Sequence, residues 1–226
     1  MRKNILVILL LAVMTAQAQT SAVGDDVRTI KADVMPTQAR VVFNPQRIKT
    51  LSNSPAAAQL DVYANTPLSD EVKSQLYPQL RKYILNYGQQ AAVNVLLDWV
   101  QTSCKFTSRA KRQTSTAKRI DRPFFPEEML YYLNGDSEDF AILFSRIVRD
   151  LLKLDVVLVN YATKVDGKAF NHMATAILFT EDVQGDAVTV GEQRYVIADP
   201  TYLGAPVGRT HPHCDNTTAK ILQLKR

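Results

Sequence analysis

One segment of this chain leaves little freedom in how it can fold. After Leu133-Asn134-Gly135-Asp136, apolar residues return at helical spacing from Ser137 to about Leu152. At about 100° per residue, Phe140, Ala141, Phe144, Val148 and Leu151 share one face, and Glu138, Asp139, Arg146, Arg149 and Asp150 cover the other. Such a helix must lay its stripe against another element. Ser137 sits at the N-terminal end of that stripe, so it faces inward at the edge of a core. Gly135 permits a tight turn into the helix.

The segments after it read as strands. Val156 to Tyr161 is a continuous apolar run, Met173-Ala174-Thr175-Ala176-Ile177-Leu178-Phe179 follows His172, and Tyr195 to Ala198 leads into Asp199. If the last two pair antiparallel, the start of one lies beside the end of the other, which brings His172 near Asp199. Upstream, Ser69-Asp70 reads as a helix start with a pattern running to Asn86 and a kink at Pro78. Gly88 punctuates, and a second helix from about Gln89 to Ser103 carries Ala92, Val93, Leu96, Leu97 and Val100 on one face. Residues 19–59 lack clean periodicity. Val41-Val42-Phe43 could form a short strand, and Pro36, Pro45 and Pro55 break the rest, so this stretch is taken as an extension of uncertain order. The expected architecture is α+β: N-terminal helices packed on a small antiparallel sheet, within one domain spanning 60–226.

The first 18 residues read as an address. Arg2 and Lys3 precede the apolar run Ile5 to Val13, and Ala16-Gln17-Ala18 is a small-residue cleavage site. The run is too short to span a bilayer, so no membrane span is expected after cleavage. Export to the periplasm of a bacterium is the first expectation, and secretion the second. In an oxidising compartment a disulfide between Cys104 and Cys214 is open to the chain. The net charge of +5 has a local source: Lys105, Arg109, Lys111, Arg112, Lys118, Arg119 and Arg122 face only Asp121. Phe106 is the single aromatic within that run, too little interleaving to favour nucleic acid. A solvated basic loop is the plain reading, and attraction to an acidic envelope polymer the sharper one.

Ser137, His172 and Asp199 occur in the order nucleophile, base, orienting carboxylate. Acyl transfer by a side chain needs those three and donors for the oxyanion. A helix N-terminus at Ser137 would offer N–H groups, and Gln101, at the end of the preceding helix, a side-chain N–H. Singly, each has a bland explanation: Ser137 as an N-cap, His172 as a satisfied strand histidine, Asp199 before Pro200 as a turn residue. Cys104 near Gln101 could be a displaced nucleophile, but a buried or disulfide-bonded thiol is the stronger reading. His211-Pro212-His213-Cys214 has no further ligand set, so no metal and no cofactor is expected. Glu127 and Glu128 read as a helix start.

From about Leu60 onward the chain resembles the transglutaminase-like cysteine peptidases of the papain-like superfamily, in the form found in exported proteins of Bacteroides-type bacteria. The resemblance rests on Tyr63-Ala64-Asn65-Thr66-Pro67-Leu68, Val100-Gln101-Thr102 and Pro123-Phe124-Phe125-Pro126-Glu127-Glu128. It rests most on Gly135-Asp136-Ser137-Glu138-Asp139, Leu143-Phe144-Ser145-Arg146, His172-Met173-Ala174-Thr175-Ala176 and Asp199-Pro200-Thr201-Tyr202. It implies a Cys-His-Asp triad in which Ser137 occupies the cysteine position, beside His172 and Asp199. The basic segment 105–119 departs from the family pattern, and so does serine at 137. A thiol can ionise beside an imidazole, whereas a serine hydroxyl needs concerted proton removal by a base placed for it. An engineered knock-out, natural loss of activity and a working serine variant are the three origins open to Ser137.

Two functions follow as expectations. One is acyl transfer, or amide or peptide hydrolysis, on an envelope peptide or protein, inactive as written because cysteine is replaced. The other is a non-catalytic peptide- or glycan-binding module of the cell envelope. Protein recovered from its native host should begin at or near Gln19 by intact-mass measurement. A soluble cytoplasmic chain retaining Met1 would contradict the export reading.

Overall fold

The computed structural model describes residues 26–33, 38–111 and 120–224. The proposed address, residues 1–18, and the part of the basic run over 112–119, with Arg112, Lys118 and Arg119, lie outside them. The fold is α+β. In chain order the elements are β1 (Val27–Ile30), β2 (Ala39–Val42), α1 (Pro45–Asn53), α2 (Leu60–Asn65), α3 (Asp70–Ile84), α4 (Gln89–Ser103), β3 (Lys105–Phe106), α5 (Pro126–Tyr132), β4 (Asn134–Gly135) and α6 (Ser137–Leu151). There follow β5 (Asp155–Val165), β6 (Lys168–Leu178), β7 (Ala187–Val190), β8 (Gln193–Ala198) and β9 (Lys220–Gln223).

Local chemistry explains the helix boundaries. Ser69 caps α3 through Val72 N, and the helix carries on through Pro78. Gly88 has no side chain with which to cap α4, so the Glu181 carboxylate does it from across the molecule, accepting from Gln89 N at 2.7 Å. The segment without periodicity is built into the fold. β1 and β2 form an antiparallel hairpin, and Ile30, Ala39, Val41 and Phe43 are buried in the same core as Leu76, Trp99 and Phe144. Strands of four residues are too short to announce themselves by alternation.

β5 to β9 form an antiparallel sheet in the order β7-β8-β6-β5-β9. Alternation sorts its residues onto two faces. Leu158 and Met173 pack with Ala141 and Ile142 of α6, while Val156, Ile177 and Val196 join the main core with Phe140 and Phe144. Val157, Val159, Tyr161, Ala174, Ala176, Tyr195 and Ile197 form the opposite face, where Cys214 and Ala219 of the C-terminal segment cover them. The stripe expected on α6 therefore lies against the β5–β6 pair.

Charged groups are buried beside this core. Glu127 and Glu128 open α5, as their position near a helix start suggested, but both are fully buried. Glu127 accepts from Arg47 and from Ser69 N and Oγ. Glu128 accepts from Phe125 N at 3.0 Å and pairs with Arg122 at 2.8 Å. Arg122 is not a solvated member of a basic loop. It is 4% exposed, donates to the carbonyls of Leu51, Ser54 and Pro123, and lies over the Phe125 ring. Its charge is needed to accompany Glu128 into the interior. Arg122→Met should strand that carboxylate and cost about 3–5 kcal/mol. A urea midpoint equal to that of the unmutated chain would show the pair to be dispensable.

Candidate functional site

β6 pairs with β8 at Thr175↔Ala198 and Ile177↔Val196. In an antiparallel ladder the N–H groups directed to one neighbour recur every second residue, so the next belongs to Met173. There β8 has already ended. The N-terminus of α6 fills the gap, and Met173 N donates to Ser137 Oγ at 3.2 Å. Ser137 thus touches the backbone next to His172, and it is buried.

Ser137 is not the cap of its helix. Asp136 is, with its carboxylate accepting from Glu138 N and Asp139 N. Asp139 completes a capping box by accepting from Asp136 N at 2.8 Å, and its other oxygen accepts from Phe124 N at 2.6 Å. This carboxylate, fully buried, joins the aromatic loop before α5 to the first turn of α6. Gly135 is required for space rather than for a positive φ. A Cβ there would stand 2.6 Å from Met129 Sδ and 2.7 Å from Asp139 Cβ. β3 runs parallel to β4, with Thr107 N donating to Gly135 O at 2.8 Å, and Arg109 then pairs with both Asp136 and Glu138. Arg109 is therefore laced to the helix that carries Ser137, while Lys105 and Lys111 on either side of it are exposed, as a solvated basic segment would have them.

His172 and Asp199 meet as strand pairing requires. Extending the β6–β8 register by one residue sets Asp199 opposite Ala174, on the same face as His172 two residues earlier. Diagonal neighbours of that kind lie within reach of a ring. His172 Nε2 is 2.6 Å from Asp199 Oδ2, and both groups are buried. Asp199 Oδ1 accepts from Thr201 N and Oγ1 and from Tyr202 N. The turn reading of Asp199 was correct as far as it went, since one oxygen makes the turn and the other holds the histidine. Burial works to raise this carboxyl. The hydrogen bond and charge of His172, with the Thr201 donors, outweigh it and leave Asp199 below the usual carboxylate range. An ionised Asp199 accepts the Nε2 hydrogen, so Nδ1 of a neutral His172 is the basic nitrogen.

Gln101 differs from expectation. Its Nε2 donates to the carbonyls of Asp199, Tyr202 and Ala205, at 2.9, 2.9 and 3.1 Å, and its Oε1 accepts from Gly204 N. An amide has two hydrogens, and both are spent on this loop. Gln101 positions Asp199; it is not an oxyanion donor. The N–H groups of Glu138 and Asp139, on which the oxyanion expectation also drew, are taken by Asp136.

Two rings the sequence did not connect to the site meet His172, and a third meets one of them. Tyr161 stacks at 6.2 Å between centroids, with its hydroxyl donating to Asn216, and His211 lies at 5.3 Å. Tyr202 meets His211 edge-on at 5.1 Å. No pattern joins positions so far apart; only the hairpin and the returning C-terminal segment do. Cys104 and Cys214 are thiols, not a disulfide. Burial pushes each up to about 12, aided at Cys214 by Asp199, so Cys104 is no displaced nucleophile. Among the described residues, no group of three or more His, Cys, Asp or Glu side chains is arranged to hold a metal ion, and no helix is long and apolar enough to cross a membrane.

No protein-family model matches the chain, and no curated protein matches it. Among solved structures, a candidate cysteine protease from Cytophaga hutchinsonii is similar, with 17% identity and a TM-score of 0.39. The match covers 83% of this chain and spans 59% of that one.

A lowered Asp199 sets a pH signature. Its native-state value lies below the unfolded value of about 3.9, so its contribution is complete above that pH and is lost as pH falls through the native value. The melting-temperature gap between the unmutated chain and Asp199→Asn should therefore be widest near neutrality and should close below about pH 4. A gap that stays constant down to about pH 2.5 would mean the carboxylate is not held by His172.

Proposed function

We propose that this chain carries an acyl-transfer site of the papain-like or transglutaminase-like kind, with Ser137 in the nucleophile position, His172 as base and Asp199 as its orienting carboxylate. The observation that carries the reading is the joint one: Nε2 of His172 held at 2.6 Å by Asp199, and the neighbouring Met173 N–H bonded to Ser137 Oγ. A cysteine at 137 would begin a helix and lie beside an imidazole that can become cationic. Both features favour a thiolate, against the partial desolvation of a buried position. The natural substrate class is a peptide or protein of the envelope, reached after export to the periplasm.

With serine the same site is a poor hydrolase. Its hydroxyl must lose a proton as it attacks, and its oxygen already accepts a hydrogen bond from Met173 N. That bond favours a second reading, in which the cleft is kept for binding a peptide or glycan and the chemistry is gone.

The chain as written should show little or no acyl transfer, and Ser137→Cys should create a reactive thiol. The measurement is iodoacetamide alkylation against pH in Ser137→Cys with Cys104 and Cys214 replaced, repeated with His172→Ala added. Fast labelling at about pH 6 that collapses without His172 is expected, because the thiol should titrate in the range of about 3.5–7.5 seen for such sites. Labelling no faster than free cysteine, or indifferent to His172, would leave the binding module in front.

A further inference from the structure

We propose that the outer edge of β3 is a substrate subsite of this site: it takes an extended peptide, running antiparallel, with an apolar residue opposite Phe106 and an acidic residue directly after it. The inference rests on the acyl-transfer reading above and names its substrate class, a peptide rather than a glycan.

Among the described residues β3 has one neighbour. It pairs with β4 alone, in parallel, with Lys105 opposite Asn134 and Phe106 opposite Gly135. Lys105 N donates to Leu133 O at 2.9 Å, and Thr107 N donates to Gly135 O at 2.8 Å. Bonding directions alternate along a strand, so the N–H and C=O of Phe106 point away from β4, to the side where no strand lies. Another extended backbone is the natural complement of such an edge. In antiparallel pairing one peptide residue opposite Phe106 exchanges both bonds with it. Two backbone bonds suit a substrate that must leave again, and they are too few to hold a second folded copy.

This edge runs beside position 137. The register sets Phe106 against Gly135, two residues before Ser137, and Arg109 pairs with Asp136 and Glu138, on either side of Ser137. Residues 105–109 therefore accompany residues 134–138 in the same direction.

The side chains state what the peptide carries. Both residues of β3 are exposed, and Phe106, an aromatic, is 57% exposed. Opposite residues of an antiparallel pair share a face, so the residue bonded to Phe106 lays its side chain against that ring. The next residue of the peptide falls opposite Lys105, on the other face. The exposed Lys105 ammonium favours a carboxylate there, whereas Arg109 is spent on Asp136 and Glu138. Residues N-terminal to the apolar one extend along β3 in the direction of Ser137. The carbonyl that reacts therefore lies on the N-terminal side of the apolar residue.

Two measurements test this with the probe acetyl-Gly-Ala-Phe-Glu-Gly-amide. The first uses the chain as it stands, with Ser137. Adding the peptide should shift the Phe106 amide resonance and slow its hydrogen exchange. Methylating the nitrogen of the peptide's phenylalanine removes the donor to Phe106 O and should weaken binding by about 5-fold or more. Phe106→Ser should weaken it by about 3-fold or more. No change at the Phe106 amide, or equal binding of the methylated peptide, would overturn the proposal. So would a shift that appears without peptide and grows with protein concentration, since a second copy would then fill the edge.

The second uses Ser137→Cys with Cys104 and Cys214 replaced. Saturating peptide should slow iodoacetamide alkylation several-fold, and Phe106→Ser should restore the rate at the same peptide concentration. Peptide that binds at Phe106 and leaves alkylation unchanged would overturn the proposal while the His172-dependent thiol stood. A thiol indifferent to His172→Ala would instead overturn the acyl-transfer reading, and this inference with it.

Discussion

The site depends on a single coincidence of two element ends: β8 leaves β6 at Ala198, and α6 begins in the gap. The sheet would otherwise present the Met173 N–H to whatever lay beside it. Ser137 Oγ takes that hydrogen bond. The same ending of β8 releases Asp199 into a turn, where one carboxylate oxygen is held by Thr201 and Tyr202 and the other is free to meet His172. The His172–Asp199 pair, and the contact of Ser137 with the Met173 backbone, are thus set by where strand and helix end.

Two buried carboxylates make that geometry rigid. Asp139 holds the first turn of α6 to the Phe124 loop, and Glu128 holds Arg122 and the start of α5. Each is fully enclosed and fully bonded, which is the condition for a buried charge to be tolerated. Around the site proper, donors are used up with similar thoroughness: Gln101 is committed to the Asp199 loop and Asp136 to its own helix.

Much of the scaffold was legible in the chain. The amphipathic stripe of α6 and the apolar face of α4 are long enough for the helical period to repeat, so both helices begin and end close to where that period places them. The pairing of His172 with Asp199 followed from antiparallel arithmetic alone. Short elements were barely legible. β1, β2, β7 and β9 have four residues each, fewer than a pattern needs to stand out from chance, and of these β2 alone was glimpsed, two residues late, as Val41-Val42-Phe43. Arg109 and Arg122 looked like members of one basic run because charge counted along a chain says nothing of which carboxylate lies across a fold.

The sequence by itself determined the residue types and their order: a serine after Gly135-Asp136 at the head of an inward-facing helix, a histidine in one strand and an aspartate after another. Local periodicity and turn chemistry act over a few residues, and these features need nothing more. Tertiary structure alone decided what each group is bonded to. It made Asp136, not Ser137, the cap, turned Gln101 from an oxyanion donor into the clasp of the Asp199 loop, kept Cys104 and Cys214 apart as thiols, and brought His211 beside His172. A hydrogen bond is satisfied by whichever partner arrives within about 3 Å, and which one arrives is a property of the packed chain.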